Sequence, residues 1–291
     1  MRQRLNSVPR VQIDEITSAL VPDQLGIWRA PSKQATPYPE EGHSIYFEIE
    51  DRSFWFRHRN DCIAAVMRRH PPEGPLVDIG GGNGFVCRRL LDEGFDAILL
   101  EPGDVGARNA SVKRKIPQVI CATLEDSGIR PASLPAASLF DVLEHFEDDR
   151  GFLARIRDLL APGGLLYVTV PAHQALWSAA DVDAQHARRY NERQLRELIA
   201  PDFEMRYFTY FFGPLVLPIF VARTIPHRLG ARGNSSVRAA NEHGVGTRLM
   251  APHGIAVRAM SAMLRPEVGR LAGGGRLSFG ASCLFVARKR G

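Results

Sequence analysis

A glycine-rich turn directly after a short apolar run is the feature that most constrains the fold of this chain. Residues 76–79 (Leu-Val-Asp-Ile) predict a buried strand, and residues 80–84 (Gly-Gly-Gly-Asn-Gly) follow it. Glycines at the carboxyl end of a strand let the backbone turn tightly and approach a ligand, and the next helix offers free N–H groups. A turn of this kind after the first strand of an open sheet predicts a nucleotide site, but not which nucleotide.

Strand and helix patterns alternate after this turn. Helical patterns cover residues 85–92 and 149–160, and Gly94 is the predicted C-cap of the first. A third helical stretch reaches Leu198, and Asn191 and Gln194 form a reciprocal cap at its start. Strand patterns cover residues 97–100, 118–122, 138–143 and 165–170. Strands and helices alternating at this spacing predict an α/β fold with a mostly parallel sheet covered on both faces.

Glu101 stands at the end of the second strand, 21 residues beyond Gly80. A carboxylate there can accept hydrogen bonds from both hydroxyls of a ribose, although an exposed strand-end charge would look the same. The third glycine of a dinucleotide motif would fall at position 85, which is Phe85, and no P-loop lysine follows. The pattern therefore disfavours a nicotinamide-dependent oxidoreductase, which we keep as one rival.

Four segments in this order resemble class I S-adenosylmethionine-dependent methyltransferases: residues 78–84, Glu101, 140–145 (Phe-Asp-Val-Leu-Glu-His) and 160–164 (Leu-Ala-Pro-Gly-Gly). The resemblance spans about residues 46–200. It is strongest to the branch of ubiquinone-pathway O-methyltransferases and bacterial small-molecule and glycan methyltransferases. It implies an open, doubly wound sheet of seven mostly parallel strands with an antiparallel last strand, which residues 281–287 could supply. It also implies S-adenosylmethionine as cofactor and S-adenosylhomocysteine as product.

The resemblance assigns cofactor roles to the glycine turn and to the ends of the following strands. Gly80 and Gly82 would line the methionine part, and Glu101 would hold the ribose. Glu125, beside Asp126, is the best match for an acidic residue that contacts the adenine amine. The whole implied cofactor set is Asp78, Gly80, Gly81, Gly82, Gly84, Glu101, Pro102, Leu124, Glu125, Asp141, Val142 and His145.

Histidines beyond the fourth and fifth strands are candidates for the chemistry. Methyl transfer is an in-line displacement, so the enzyme must align the acceptor and exclude water, and an oxygen acceptor also needs a base. His145 is the first candidate for that base, with packing over the cofactor as its alternative role. His186 and Tyr190 complete the candidate catalytic set.

A second polar cluster follows the fifth strand and resembles a Trp-Ser…Asp…His…Arg-Arg-Tyr signature of the same branch. Structural roles for its tyrosine and arginines stay open. No metal site is expected, because the carboxylates of residues 147–149 are typical of a helix start. The predicted acceptor contacts are Trp55, Trp177, Asp181, His186, Arg189 and Tyr190.

Residues 207–222 form an apolar segment of 16 residues with two prolines, followed by Arg223, His227, Arg228 and Arg232. This is shorter than the roughly 20 residues that cross a bilayer as a helix. Peripheral membrane contact through residues 207–232, an acceptor lid, and a core or homodimer contact all stay open. The predicted divisions are an N-terminal arm with a helical cap (1–70, with one short helix near 14–20), a cofactor core (71–212), an insertion (213–276) and a closing strand (277–291).

Composition narrows the partners. A 45% hydrophobic and 24% charged chain is typical of a globular protein, and a net charge of +5 spread along it predicts no nucleic-acid partner. Four scattered cysteines and no signal-peptide core predict a cytoplasmic protein, at most peripheral at the inner membrane face. We expect a methyltransferase acting on an oxygen, less often a nitrogen, of a small-molecule or lipid- or glycan-linked acceptor. A non-catalytic interaction module is the second rival.

Overall fold

The computed structural model describes residues 12–30, 47, 49–230 and 255–291, and its centre is one mixed sheet. Within the described residues the sheet has nine strands, in the order β1-β2-β5-β4-β3-β6-β7-β9-β8. They are β1 (Val21–Pro22), β2 (Trp28–Arg29), β3 (Leu76–Ile79), β4 (Ala97–Leu100), β5 (Val119–Cys121), β6 (Leu134–Phe140), β7 (Leu160–Pro171), β8 (Phe203–Phe211) and β9 (Ser282–Lys289).

Helices connect the strands and cover both faces of the sheet. They are α1 (Ile13–Ile16), α2 (Phe54–Arg69), α3 (Phe85–Asp92), α4 (Asp104–Arg108), α5 (Asp149–Leu159), α6 (Ala179–Asp183), α7 (Glu192–Ile199), α8 (Val216–Ile219), α9 (Ile225–Arg228) and α10 (Ile255–Ala272). Wider π turns follow α4 (Asn109–Lys113) and α8 (Phe220–Thr224), and 3-10 turns span Leu143–His145, Gln174–Leu176 and Gly213–Leu215.

The topology confirms the expected α/β architecture. Strands β5, β4, β3, β6 and β7 are parallel, and β9 lies antiparallel between β7 and β8. One face is covered by α5 and α7, which bury residues such as Phe152, Ile156 and Leu195. The other face is covered by α2 and α10 lying against each other, with Ile63 and Leu264 buried between them and the sheet.

Two further strands, β1 and β2, come from the segment that the sequence indicates is an arm. Strand β2 pairs in parallel with β5, and Ile27 beside it is fully buried. Arg29 pairs with Asp23 and Asp104 at 2.7 Å each, which fastens the segment to α4. The prediction of seven strands is therefore too low by two, because this segment extends the sheet edge.

The predicted end of β6 is wrong. Strand β6 ends at Phe140, because Asp141 adopts a left-handed backbone (φ 57°) and a 3-10 turn follows it. The apolar segment 207–222 is divided, because residues up to Phe211 belong to β8 and pair with β9. No helix among the described residues is both long and apolar enough to cross a membrane.

Candidate active site

The glycine turn between β3 and α3 lies at the carboxyl edge of the sheet. Gly84, at the N-cap of α3, has φ 76°, and a Cβ there would lie 2.3 Å from the Ile116 side chain. Gly82 has φ 56°, and a Cβ there would meet no protein atom within 4 Å. Backbone strain and packing therefore require glycine at position 84, whereas the space beside Gly82 is left for a ligand.

Glu101 ties this turn to the end of β4. Its carboxylate accepts hydrogen bonds from the backbone N–H groups of Gly82 at 2.8 Å and Gly103 at 2.7 Å. Burial raises the pKa of Glu101 to about 7, and these two N–H groups work against that rise. A carboxylate has about four lone-pair sites, so two N–H bonds do not exhaust its capacity for ribose hydroxyls.

Asp78, at the end of β3, places a second buried carboxylate beneath the turn. Ser138 Oγ donates to Asp78 Oδ1 at 2.8 Å, while Oδ2 has no hydrogen-bond partner among the described residues. Burial raises the pKa of Asp78 to about 7. This unpartnered oxygen lies beneath Gly81, where a Cβ would be 2.6 Å from it. It fits the ammonium-bearing end of the cofactor that the sequence predicts, because a buried polar group without a partner is destabilising.

The loop after β6 lies against the glycine turn. A Cβ on Gly80 would be 3.0 Å from Val142, so the two loops are in van der Waals contact. Thr169 Oγ1 donates to Asp141 Oδ1 at 2.8 Å, and Arg59 of α2 donates to Asp141 Oδ2. The predicted cofactor residues of both loops are thus brought together, and helix α2 is fastened over them.

Three side chains, Glu144, His145 and His186, form a cluster that we call the histidine cluster. The rings of His145 and His186 meet edge to face with centroids 5.0 Å apart, and His186 Nε2 lies 3.9 Å from Glu144 Oε1. Desolvation, and then the adjacent His186, lower the pKa of His145 to about 4, even though the residue as a whole is exposed. The sequence analysis missed Glu144, although its position beside His145 was the available signal.

Asp181 anchors the loop that carries His186. Its carboxylate contacts His186 Nδ1 at 3.1 Å and receives two hydrogen bonds from Arg189 at 2.7 and 3.0 Å. Burial opposes ionisation here, but the His186 hydrogen bond and Arg189 outweigh it and lower the pKa of Asp181 to about 2. Asp181 is fully buried, so it can hold the orientation of the His186 ring but cannot itself contact a ligand at the surface.

The remaining predicted residues fall into different surroundings. Tyr190 is buried in the core, where its hydroxyl donates to Asp149 at 2.9 Å. Trp55 is half-buried and stacks on Phe212 with ring centroids 3.9 Å apart, and Trp177 is half-buried. Leu124 and Pro102 are half-buried, and Glu125 is exposed and paired with Arg155. The roles predicted for these residues stay predictions.

Known proteins resemble this chain over nearly half of its length. It is 27% identical over 135 residues to the ubiquinone biosynthesis O-methyltransferase of Rhodopseudomonas palustris, covering 44% of this chain and 53% of that protein. It is 32% identical over 148 residues to the 23S rRNA (guanine(748)-N(1))-methyltransferase of Streptomyces fradiae, covering 49% and 51%. The chain therefore spans about half the length of these curated relatives.

Two solved structures share the fold. One is a putative methyltransferase in complex with the Haloferax volcanii Trm112 methyltransferase activator, with a TM-score of 0.55, 15% identity, and coverage of 87% of this chain and 100% of that chain. The other is Haemonchus contortus phosphoethanolamine N-methyltransferase 2 in complex with S-adenosyl-L-methionine, with a TM-score of 0.51, 18% identity, and coverage of 88% and 58%.

A family model described as a methyltransferase domain matches residues 52–200. That segment holds the glycine turn, Glu101, the loop after β6 and the histidine cluster. It also contains the parallel strands whose carboxyl ends carry these site residues. The chain therefore belongs to the methyltransferase-domain family and has its class I fold.

Proposed function

We propose that this protein transfers the methyl group of S-adenosylmethionine to an acceptor and releases S-adenosylhomocysteine. The observation that carries the proposal is the glycine turn, in which Glu101 accepts a hydrogen bond from Gly82 and an unpartnered Asp78 oxygen lies beneath Gly81. The structure of the Haemonchus contortus enzyme with S-adenosyl-L-methionine supports this choice of cofactor. When bound, the cofactor supplies a methyl group on a positively charged sulfur.

The residues of this chain bind the cofactor and orient it toward the acceptor. Gly80 and Gly82 line the methionine part, Asp78 accepts from its ammonium group, and Glu101 holds the ribose. Glu125 takes the adenine amine. Because the reaction is a direct displacement, most of the catalytic effect comes from alignment of the acceptor and exclusion of water.

An oxygen of a small-molecule or lipid- or glycan-linked compound is the acceptor that we propose. Its hydroxyl proton must be removed, and the histidine cluster lies beside the loop that contacts the glycine turn. His145 is the exposed member and the candidate base. Trp55 and Trp177 offer half-buried aromatic surface to the acceptor. Arg189 and Tyr190 are buried and donate hydrogen bonds to Asp181 and Asp149, so they act as residues that position the loop carrying His186.

Calorimetric titration with S-adenosylhomocysteine tests the cofactor assignment, beside NADH. We expect micromolar binding of the first ligand alone, weakened at least tenfold (about 1.4 kcal/mol) by Glu101→Ala. Glu73→Ala is the matched control, because Glu73 is an exposed carboxylate before the amino end of β3. Binding of NADH alone would favour the oxidoreductase. Binding of neither ligand by the folded protein would refute the proposal and favour the interaction module.

An exposed apolar row favours a second role for the helical segment 216–229. Leu217, Val221, Ile225 and Leu229 recur every four residues and are 70%, 53%, 37% and 80% exposed. Arg228 beside them is also exposed. Apolar side chains on one side of a helix next to basic groups suit insertion into the interface of an anionic membrane. We propose that this row contacts the membrane that carries a lipid-linked acceptor.

Sedimentation with vesicles that contain anionic lipid tests this contact. The wild-type protein should sediment with the vesicles, and a Leu217→Asp, Val221→Asp double variant should remain in the supernatant. Val182→Asp is the control, because Val182 is 55% exposed outside the row. Equal sedimentation of the wild type and the double variant would exclude the membrane role and leave a lid or a dimer contact.

A further inference from the structure

Two groups of histidine and acidic side chains lie close together in the described part of the chain, and their surroundings differ. In the first group, His58 Nε2 lies 2.8 Å from Glu267 Oε2. The Glu267 carboxylate also accepts hydrogen bonds from the backbone N–H groups of Phe212 and Gly213, at 2.9 and 2.8 Å. The Glu267 carboxylate is therefore satisfied by hydrogen bonds within the protein. It serves as an internal comparison for the carboxylate of the second group.

In the second group, the histidine cluster, the carboxylate has no such partners. Glu144 is 0% exposed, and neither of its oxygens has a hydrogen-bond partner among the described residues. An ionised carboxylate buried without compensation is strongly destabilising, so buried charges in proteins are paired or coordinate metals. His186 Nε2 lies 3.9 Å from Glu144 Oε1, which is beyond hydrogen-bond distance.

We propose that Glu144, His145 and His186 hold a divalent transition-metal ion. Each residue offers one ligand atom, and these atoms lie within 4.8 Å of one another. Bonds of about 2.0–2.2 Å around a tetrahedral zinc ion require ligand atoms roughly 3.4 Å apart, which side-chain rotation can bring about. Two imidazole nitrogens and one carboxylate oxygen are a donor set of catalytic zinc sites, which keep a fourth position open. This site replaces the expectation from sequence that no metal is bound.

The residues behind the cluster have the arrangement that metal-binding histidines require. His186 Nδ1 lies 3.1 Å from Asp181 Oδ1, which directs Nε2 toward Glu144. Asp181 is itself fixed by Arg189 and by the backbone N–H of Ser178, at 2.9 Å. A carboxylate that holds the outer ring nitrogen fixes the tautomer and the orientation of a metal-binding histidine.

The position of the site indicates what the ion would do. Glu144 and His145 follow Val142, which lies against Gly80, so an ion held by them would stand in the loop next to the glycine turn. A bound divalent cation lowers the pKa of an oxygen ligand, which would make an acceptor hydroxyl more nucleophilic. This activation by the ion would take the place of His145 as base, and it rests on the proposed function, whereas binding of the ion does not.

Metal binding is measured on untagged protein stripped with a chelator, by competition for Zn²⁺ with a chromophoric chelator and by the absorption spectrum with Co²⁺. The wild type should bind one equivalent, and Glu144→Gln and His145→Ala should each lower the affinity at least tenfold. His227→Ala, a histidine outside the cluster, should leave the affinity unchanged. Thermal unfolding of each variant verifies that it is folded.

Binding of less than one equivalent, or equal affinity in the wild type and both cluster variants, would overturn the proposal. So would a thiolate-to-cobalt band, because the histidine cluster contains no cysteine, whereas Cys62 lies beside His58 and Glu267 in the first group. Titration of the same preparations with S-adenosylhomocysteine separates the two proposals. If the protein binds S-adenosylhomocysteine but fails to bind metal, the metal site alone is refuted. If it binds metal but fails to bind S-adenosylhomocysteine, the methyltransferase proposal alone is refuted.

Discussion

Asp78 is a residue whose contribution to stability depends on pH. Burial raises its pKa from 3.8 to about 7, so folding disfavours its ionised form. Its destabilising effect is absent below about pH 4, grows as the pH rises toward 7, and is complete above that value. We expect Asp78→Asn to gain free energy of unfolding over the wild type between about pH 5 and pH 8, measured by urea denaturation without ligand.

The exposed Asp92→Asn variant is the control for this comparison. Its difference from the wild type should be the same at both pH values. Because we propose that the unpartnered oxygen binds the cofactor, calorimetry should also show that Asp78→Asn binds S-adenosylhomocysteine more weakly. A constant stability difference for Asp78→Asn at the two pH values would show that this carboxyl is not desolvated.

Asp181 stabilises its loop through a buried ion pair. We expect Asp181→Asn to lower the free energy of unfolding by about 3 kcal/mol or more, because it leaves the buried Arg189 guanidinium without a full counter-charge. Glu197→Gln removes the carboxylate of an exposed pair with Arg193 and should change stability by about 0.5 kcal/mol or less. Urea denaturation of both variants measures the difference, and equal effects would argue against a buried pair.

At the scale of elements, helix α7 begins with the reciprocal cap that the sequence predicts. Asn191 accepts from the backbone N–H of Gln194 at 3.0 Å, and the Gln194 side chain accepts from the backbone N–H of Asn191 at 3.0 Å. Asn191→Ala should destabilise the protein by about 1 kcal/mol, because the backbone N–H of Gln194 loses its acceptor. Arg193→Ala, exposed in the first turn of the same helix, should have a smaller effect. Thermal or urea unfolding measures the two losses of stability. Equal losses for Asn191→Ala and Arg193→Ala would show that the cap does not stabilise the helix.

Elements that local patterns determine are those that the sequence predicts well. The bounds of α3 and β4 agree residue for residue, because a glycine turn precedes one and a charged residue ends the other. The end of β6 was not predictable in this way. Asp141 leaves the strand because Thr169 of the neighbouring β7 bonds its backbone and its side chain. That contact joins residues 28 positions apart, so a reading of local periodicity does not contain it.

At the scale of the molecule, the N-terminal segment is part of the core. Ile27 is fully buried against Leu99, Ala107 and Val119. We expect Ile27→Ala to lower the free energy of unfolding by about 2–5 kcal/mol, because it leaves a cavity at the sheet edge. Leu25→Ala, at a side chain that is 46% exposed, should change it by about 0.5 kcal/mol or less. Urea denaturation compares the two, and a negligible loss for Ile27→Ala would mean a loosely attached arm.

The candidate site shows the same division between local and distant information. The glycine turn and Glu101 follow from a strand, a turn and the spacing to the next strand. The histidine cluster does not, because Glu144 and His186 meet only after the loops beyond β6 and β7 are folded together. The Arg59 contact with Asp141 likewise joins α2 to a residue 82 positions away. Burial without a partner, which distinguishes Glu144, is a property of three-dimensional packing.

The place of β9 in the sheet has a consequence for how this protein is made. Strand β7 pairs with β9 from Pro171↔Ser282 onward, and β8 also finds its neighbour in β9. About 110 residues of further synthesis separate those two positions, which takes a ribosome roughly 5–20 s. During that interval the nascent sheet presents β7 as an open edge, and such edges recruit other chains. The edge of β7 that β9 covers in the folded protein is therefore exposed until the ninth strand has been synthesised.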